Sequence, residues 1–163
     1  LNGPVLADTV YDAGKLVAKD VTITLPAINL LTADFKAMGT LTLPIIGQIE
    51  AMEATVNKVG TDMGLRSMAS LDSRTLEFRW VQDVKKADGS TKTVGCKAFL
   101  RVVTKTIPGL SVDPGSQSEN ELGYAVSRYQ LFVDGTEYWL IDQLNQILRV
   151  GGKDYYKQIR SLL

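Results

Sequence analysis

The chain has 163 residues, with 45% hydrophobic and 22% charged side chains, and Lys plus Arg balances Asp plus Glu at 18 each. That length suits one domain burying roughly two-thirds of its unfolded surface, and the composition excludes disordered and membrane-spanning classes. A balanced charge supplies no overall basic field for sequence-independent binding of nucleic acid.

The texture along the chain is β. In "VYDAGKLVAKDVTITL" (Val10–Leu25) Asp12, Ala13 and Gly14 separate two strand-like runs, which predicts an entry hairpin. Leu1–Asp20 has no basic segment followed by an apolar one, so no leader is expected there. After Pro26, residues Ala27–Lys36 and Thr40–Val59 form a longer region broken by Gly39, Pro44, Gly47 and Gly60. Its alternation over Ile49–Val59 is too mixed to predict one clean buried face, so both faces are expected to have partners.

Met63, Leu65, Met68 and Leu71 are spaced for a short helix over Thr61–Asp72, whose methionines are read as core filler. A long hairpin follows. Leu76, Phe78 and Trp80 alternate with Thr75, Glu77 and Arg79, while Cys96, Ala98, Leu100 and Val102 alternate with Lys97, Phe99, Arg101 and Val103. The polar tip between them carries an Asp88-Gly89 turn. Pro108–Gly123, with two Pro-Gly pairs, reads as a surface loop. Tyr124–Val133 is a predicted strand, Asp134-Gly135 a turn, and Thr136–Asp142 the returning strand. Leu144, Ile147 and Leu148 suggest a helical turn, Gly151-Gly152 a break, and Asp154 the cap of a final helix over Tyr155–Leu162. The expected fold class is mainly β (α+β), an antiparallel sandwich or barrel-like domain with a short internal helix and a C-terminal helix.

Little in the sequence points to catalysis. The absence of histidine removes the usual serine and cysteine triads and histidine-bearing zinc sites. "GTDMGLRS" lacks the spacing and the lysine of a phosphate-binding loop. Glu50 with Glu53, or Glu119 with Glu121, could pair as glycosidase carboxylates, but solvated acids are the simpler reading. "DPGSQSENE" lacks the ordered spacing of an EF-hand loop, and Lys85, Lys86 and Lys92 form a basic tip without interleaved aromatics. Cys96 is alone and reads as a small buried hydrophobe. No catalytic residue, cofactor or metal is therefore expected. What the hairpins do offer is strand edges, which template other chains.

"YQLFVDGTEYWLIDQLNQILRVGGKDYYKQIRSLL" resembles the ending of the major tail tube proteins of contractile-tailed bacteriophages and R-type phage-tail-like bacteriocins: strand, Asp-Gly turn, strand running into "ID", an Ile-Arg-Val-type segment, glycine and a terminal helix. "VYDAGKLVAKDVTITLP" resembles the family's entry hairpin and its "VTLP"-like strand, so the likeness runs over nearly the whole chain. The resemblance implies one tail tube domain over residues 1–163, a structural protein forming hexameric rings with a continuous inner β-barrel, stacked into a tube inside a contractile sheath. It implies inter-subunit or inter-ring contacts at Phe35, Lys36, Met38, Gly39, Thr40, Glu50 and Glu53. Thr42, Gln48, Glu77, Arg79, Lys97 and Arg101 are then candidates for the lumen, and Asp154, Tyr155, Tyr156 and Ile159 for a terminal assembly element.

The implied partners are further copies of the chain, the tail sheath protein, and tape measure and baseplate proteins. DNA is implied in transit only, with no stable membrane association. The implied location is a virion tail or bacteriocin particle assembled in bacterial cytoplasm. A monomeric β-sandwich that binds sugars on Trp80, Trp139 or Tyr155 is the alternative from another class, and a type VI secretion tube is the nearer one.

Overall fold

The structure, a computed structural model, describes residues 2–12, 15–19, 21–36, 39–59, 63–109, 114–115 and 119–162. In chain order the elements are β1 (Asn2–Asp12), β2 (Lys15–Lys19), β3 (Val21–Thr24), β4 (Leu30–Lys36), β5 (Thr40–Ile49), β6 (Met52–Val59), α1 (Met63–Met68) and β7 (Arg74–Lys85). They continue with β8 (Thr91–Thr106), β9 (Glu119–Val133), β10 (Thr136–Asp142), β11 (Ile147–Val150), β12 (Lys153–Asp154) and α2 (Lys157–Leu162).

Ten of the strands form one antiparallel sheet in the order β12-β11-β10-β9-β8-β7-β1-β2, with β6 added to β9 and β3 to β6. The sheet forks at β9. One edge of β9 pairs with β8 from Gly123 to Val133, while the other pairs with β6 up to Val126 and with β10 from Arg128 onward. The register against β8 slips at this fork, where Arg101 faces Arg128 but Val102 faces Val126. Ser127 is thus an extra residue, and a bulge of this kind bends a strand so that its two halves join different neighbours. Close to the fork, a Cβ on Gly123 would lie 3.0 Å from Oγ1 of Thr106, so the strands approach there only because glycine lacks one.

Strict alternation builds the core. On β8, Cys96, Ala98, Leu100, Val102 and Thr104 are buried while Lys97, Arg101, Val103 and Lys105 are exposed. Leu76 and Phe78 from β7, Leu122, Tyr124 and Tyr129 from β9, Met52 and Val56 from β6, and Val10 and Val21 from β1 and β3 join one cluster. Strands β1 and β3, at opposite ends of the run β3-β6-β9-β8-β7-β1, also touch, so the sheet curls into a barrel-like enclosure. Each fully buried Leu or Phe contributes roughly 1.5–3 kcal/mol.

Helix α1 is fastened to this enclosure by its last carbonyls. Tyr124 Oη donates to Met68 O at 2.7 Å, Arg74 donates to Met68 O at 2.5 Å and to Ser70 O at 2.6 Å, and Thr104 Oγ1 donates to Ser70 O at 2.5 Å. A cation among the orphan carbonyls of a helix end complements the dipole there. Met68 is fully buried, as core filler should be, whereas Leu71 lies past the helix and is exposed.

Several expectations are corrected. β6 has a clean buried face (Met52, Ala54, Val56, Lys58) opposite exposed Ala51, Glu53 and Asn57, because β9 and β3 hold it against the core. β9 begins at Glu119, so the proposed loop to Gly123 ends earlier; Asn120 and Leu122 are buried in strand pairing with β6. Ile147 and Leu148 belong to strand β11 rather than a helical turn, since β10 offers its free edge. The sheet therefore runs on past β10 through β11 and β12. α2 starts at Lys157, two residues later than expected. The Asp12-Ala13-Gly14 turn joins two paired strands, although Ala13 and Gly14 lie outside the described residues.

Candidate functional site

Three surfaces carry the residues singled out from sequence. The first is the β4–β5 hairpin, which forms a two-stranded sheet of its own. Asp34 pairs with Thr42, Phe35 with Leu41 and Lys36 with Thr40, so four candidate contact or lumen residues lie together near its tip. Gly39 closes the tip at φ 132°, a conformation open in practice to glycine alone. Met38 lies outside the described residues, and for Phe35, Lys36, Thr40, Thr42 and Gln48 the structure gives strand position alone. The foot is tied down: Glu50 N donates to Asn29 O at 2.8 Å, and Gln143 Nε2 donates to Glu50 O at 3.2 Å. Glu50 is exposed, and Glu53 takes a salt bridge from Lys105.

The second surface is the open face of β7, β8, β9 and β10, opposite the core. Glu77 and Arg79 pair at 2.6 Å, and the Arg79 guanidinium sits 4.2 Å above the Tyr11 ring. Arg149 reaches Glu137 at 2.6 Å and Gln130 donates to the same carboxylate at 2.8 Å. Burial pushes the Glu137 carboxyl up, but these hydrogen bonds outweigh it and hold the group below its usual range. Phe99, between Lys97 and Arg101 on β8, meets Phe132, the cross-strand partner of Lys97, edge to face at 5.9 Å. The four lumen candidates Glu77, Arg79, Lys97 and Arg101 therefore share one face of two adjacent strands, apart from Thr42 and Gln48 on the hairpin.

The third surface is the C-terminal segment. Asp154 Oδ1 accepts from Tyr156 N at 3.0 Å, Tyr156 is buried in the core cluster, and Tyr155 is exposed under the Lys153 ammonium at 5.0 Å. Burial raises the Tyr156 phenol. The turn before it, Gly151-Gly152, has φ values of 60° and 84° and lets β12 fold back on β11. Of Ile159 the structure gives helix position alone.

None of these surfaces assembles a reactive group. Among the described residues no cluster of acids and cysteine could hold a metal. Cys96 is buried, and desolvation, with Asp134 nearby, pushes its thiol up, away from a nucleophilic thiolate. Trp80 and Trp139 pack against the core, and Trp139 meets Tyr129 edge to face at 5.9 Å, so neither offers an open stacking platform. At the basic tip, Lys92 is paired with Asp134 at 2.7 Å.

The family model for the phage tail tube protein FII matches residues 7–163. The chain belongs to that family. Tail tube proteins are structural, so the role is not enzymatic. The fold agrees: a chain of the sheath–tube complex of an extracellular contractile injection system, PVC, in its extended state superposes with a TM-score of 0.55. It shares 14% identity, over 80% of this chain and 90% of that one. No curated protein matches.

Reading the sequence missed the Arg74–Tyr124–Thr104 clamp on α1, whose members are 20 to 50 residues apart and carry no local signal. The aromatic pair was findable. Phe99 and Phe132 fall at outward positions of two strands that the alternation already defines.

Proposed function

We propose that this tail tube protein polymerises as stacked hexameric rings, each a single domain joined to its neighbours through strand edges into a continuous inner barrel within a contractile sheath. The observation that carries the reading is the β4–β5 hairpin. Its strands, seven and ten residues long, pair only with each other among the described residues. A lone two-stranded hairpin is marginal in water, and roughly half of its backbone groups face away from the pairing partner. Paired edge to edge with the next copy, those groups are satisfied.

In this reading Phe35, Lys36, Met38, Gly39, Thr40, Glu50 and Glu53 contact neighbouring copies. Thr42, Gln48, Glu77, Arg79, Lys97 and Arg101 belong to lumen-facing strands. Asp154, Tyr155, Tyr156 and Ile159 belong to a terminal assembly element that packs outward across a neighbour or against the sheath. The tube serves as the DNA conduit of a phage or the membrane-piercing tube of a phage-tail-like bacteriocin. Sheath, tape measure and baseplate proteins are its partners, and assembly takes place in the bacterial cytoplasm. The sheath–tube origin of the structural neighbour supports the sheath as partner.

The test is negative-stain electron microscopy of the concentrated protein beside a truncation ending before Lys153. Rings or tubes of six-fold symmetry are expected from the full chain and none from the truncation. Uniform small particles from the full chain, with or without its baseplate proteins, would overturn the reading.

A further inference from the structure

The chain enters the β4–β5 hairpin past Asn29 and leaves it through Glu50 and Ala51 into β6. Glu50 N donates to Asn29 O at 2.8 Å, so the two strands are closed at this foot and whatever holds one holds both. Ile28 and Ile49 pack against the core there. Apolar contact of that kind is non-directional, whereas a hydrogen bond weakens steeply off its line. The directional ties come from Gln143. Its side-chain Nε2 donates to Glu50 O at 3.2 Å and reaches Ile49 O at 3.5 Å. Its backbone N donates to Ser127 O at 3.0 Å. Ser127 is the extra residue at the fork, where β9 parts from β6 and joins β10.

The turn that presents Gln143 is itself held. The buried Asp142 carboxylate accepts from Leu144 N and Asn145 N at 3.1 Å each and from Asn145 Nδ2 at 2.8 Å, with Arg128 Nε at 3.7 Å. An aspartate bonded to the backbone just after it fixes a turn locally. Gln146 then takes a φ of 54° and returns the chain into β11. Gln143 therefore reaches the hairpin from a framework anchored on β9, β10 and β11.

We propose that Gln143 is a positioning residue: its amide sets the direction in which the hairpin leaves the enclosure, so that the strand edges point at the next copy before that copy arrives. The inference rests on the reading of the hairpin as the element that joins copies. Ordering a loose segment at the moment of contact costs binding free energy, and a segment already held in its bound direction avoids that cost. Holding it at the foot, from a residue outside the hairpin, leaves the edges beyond the foot open for pairing.

The experiment measures amide residual dipolar couplings of the dilute, weakly aligned full chain for wild type, Gln143→Ala and Gln143→Glu. Gln143→Glu keeps the shape of the side chain and replaces the donating amide by acceptors. In wild type the β4 and β5 couplings are expected to fit the same alignment as those of β8 and β9. In both variants they should shrink to about half or less as the hairpin swings, while the β8 and β9 couplings and the unfolding midpoint stay unchanged. Hairpin couplings already averaged in wild type, or unchanged in Gln143→Glu, would overturn the proposal. So would a lowered midpoint, which would make Gln143 an ordinary stabilising contact. These couplings are read without assembly and so test the strut apart from the ring. The concentration at which rings form should then rise about two- to tenfold in both variants, the range that one net hydrogen bond spans. An unchanged threshold beside shrunken couplings would overturn the positioning role. A wild-type chain that forms no rings while its couplings behave as expected would overturn the ring reading, and the positioning role with it, leaving Gln143 a strut alone.

Discussion

The β7–β8–β9 sheet and the β4–β5 hairpin are built from similar strands, yet one is finished within the chain and the other is not. Each central strand of the large sheet has a neighbour on both edges and a buried face on the common core. The hairpin has one pairing interface and is secured at its foot by Asn29, Glu50 and Gln143. The difference separates two jobs that one chain must perform. The enclosure supplies folding stability, and in the proposed ring the hairpin supplies strand edges for another copy to pair with.

Substitutions can break or sharpen this contrast. The largest effect is expected in the enclosure. Phe78→Ala, at a fully buried position, should cost about 3–5 kcal/mol in denaturant unfolding of the monomer. Arg74→Met should come next, at about 2–3 kcal/mol, because three carbonyls after and within α1 lose a charged donor. Alkali should reach the same region. Desolvation raises the phenols of Tyr124 and Tyr129 to about 12. With folded values above the unfolded one, their contribution is complete below about pH 10 and lost as pH rises toward 12. Tyr124→Phe/Tyr129→Phe should flatten the fall in stability over that window.

Near the sheet's outer surface the effects shrink. Glu137→Gln removes a half-exposed pair and should cost about 0.5 kcal/mol near neutral pH. Glu137 is held below its usual range, so the difference from wild type should vanish as pH falls through the carboxylate region. The smallest effect on stability is expected in the hairpin. Replacing residues 32–46 by a short Gly-Ser turn should leave the unfolding midpoint unchanged while abolishing rings. A large loss of stability would show that the hairpin belongs to the enclosure.

The same contrast explains what could be read from sequence. Alternation such as Cys96, Ala98, Leu100 and Val102 against Lys97, Phe99 and Arg101 declares a strand with one dry face, and the structure keeps it. The Asp134-Gly135 turn was equally legible, with both residues at positive φ as the tight hairpin requires. β6 was not, since Ala51, Ala54 and Thr55 are small or ambiguous and only pairing with β9 decides which side is dry. β11 was lost for a related reason: Leu144, Ile147 and Leu148 fit a helical spacing, and the free edge of β10 overrides it. The break at Gly39 marks the tip of the β4–β5 hairpin in the sequence, and the structure places it there at φ 132°.

Hydrogen exchange of the β4 and β5 amides, compared between dilute monomer and assembled tube, tests the division of labour most directly. These amides are expected to exchange rapidly in the monomer and to become protected in the tube, while those of β8 and β9 are slow in both. Hairpin amides as protected in the monomer as those of β8 would contradict it.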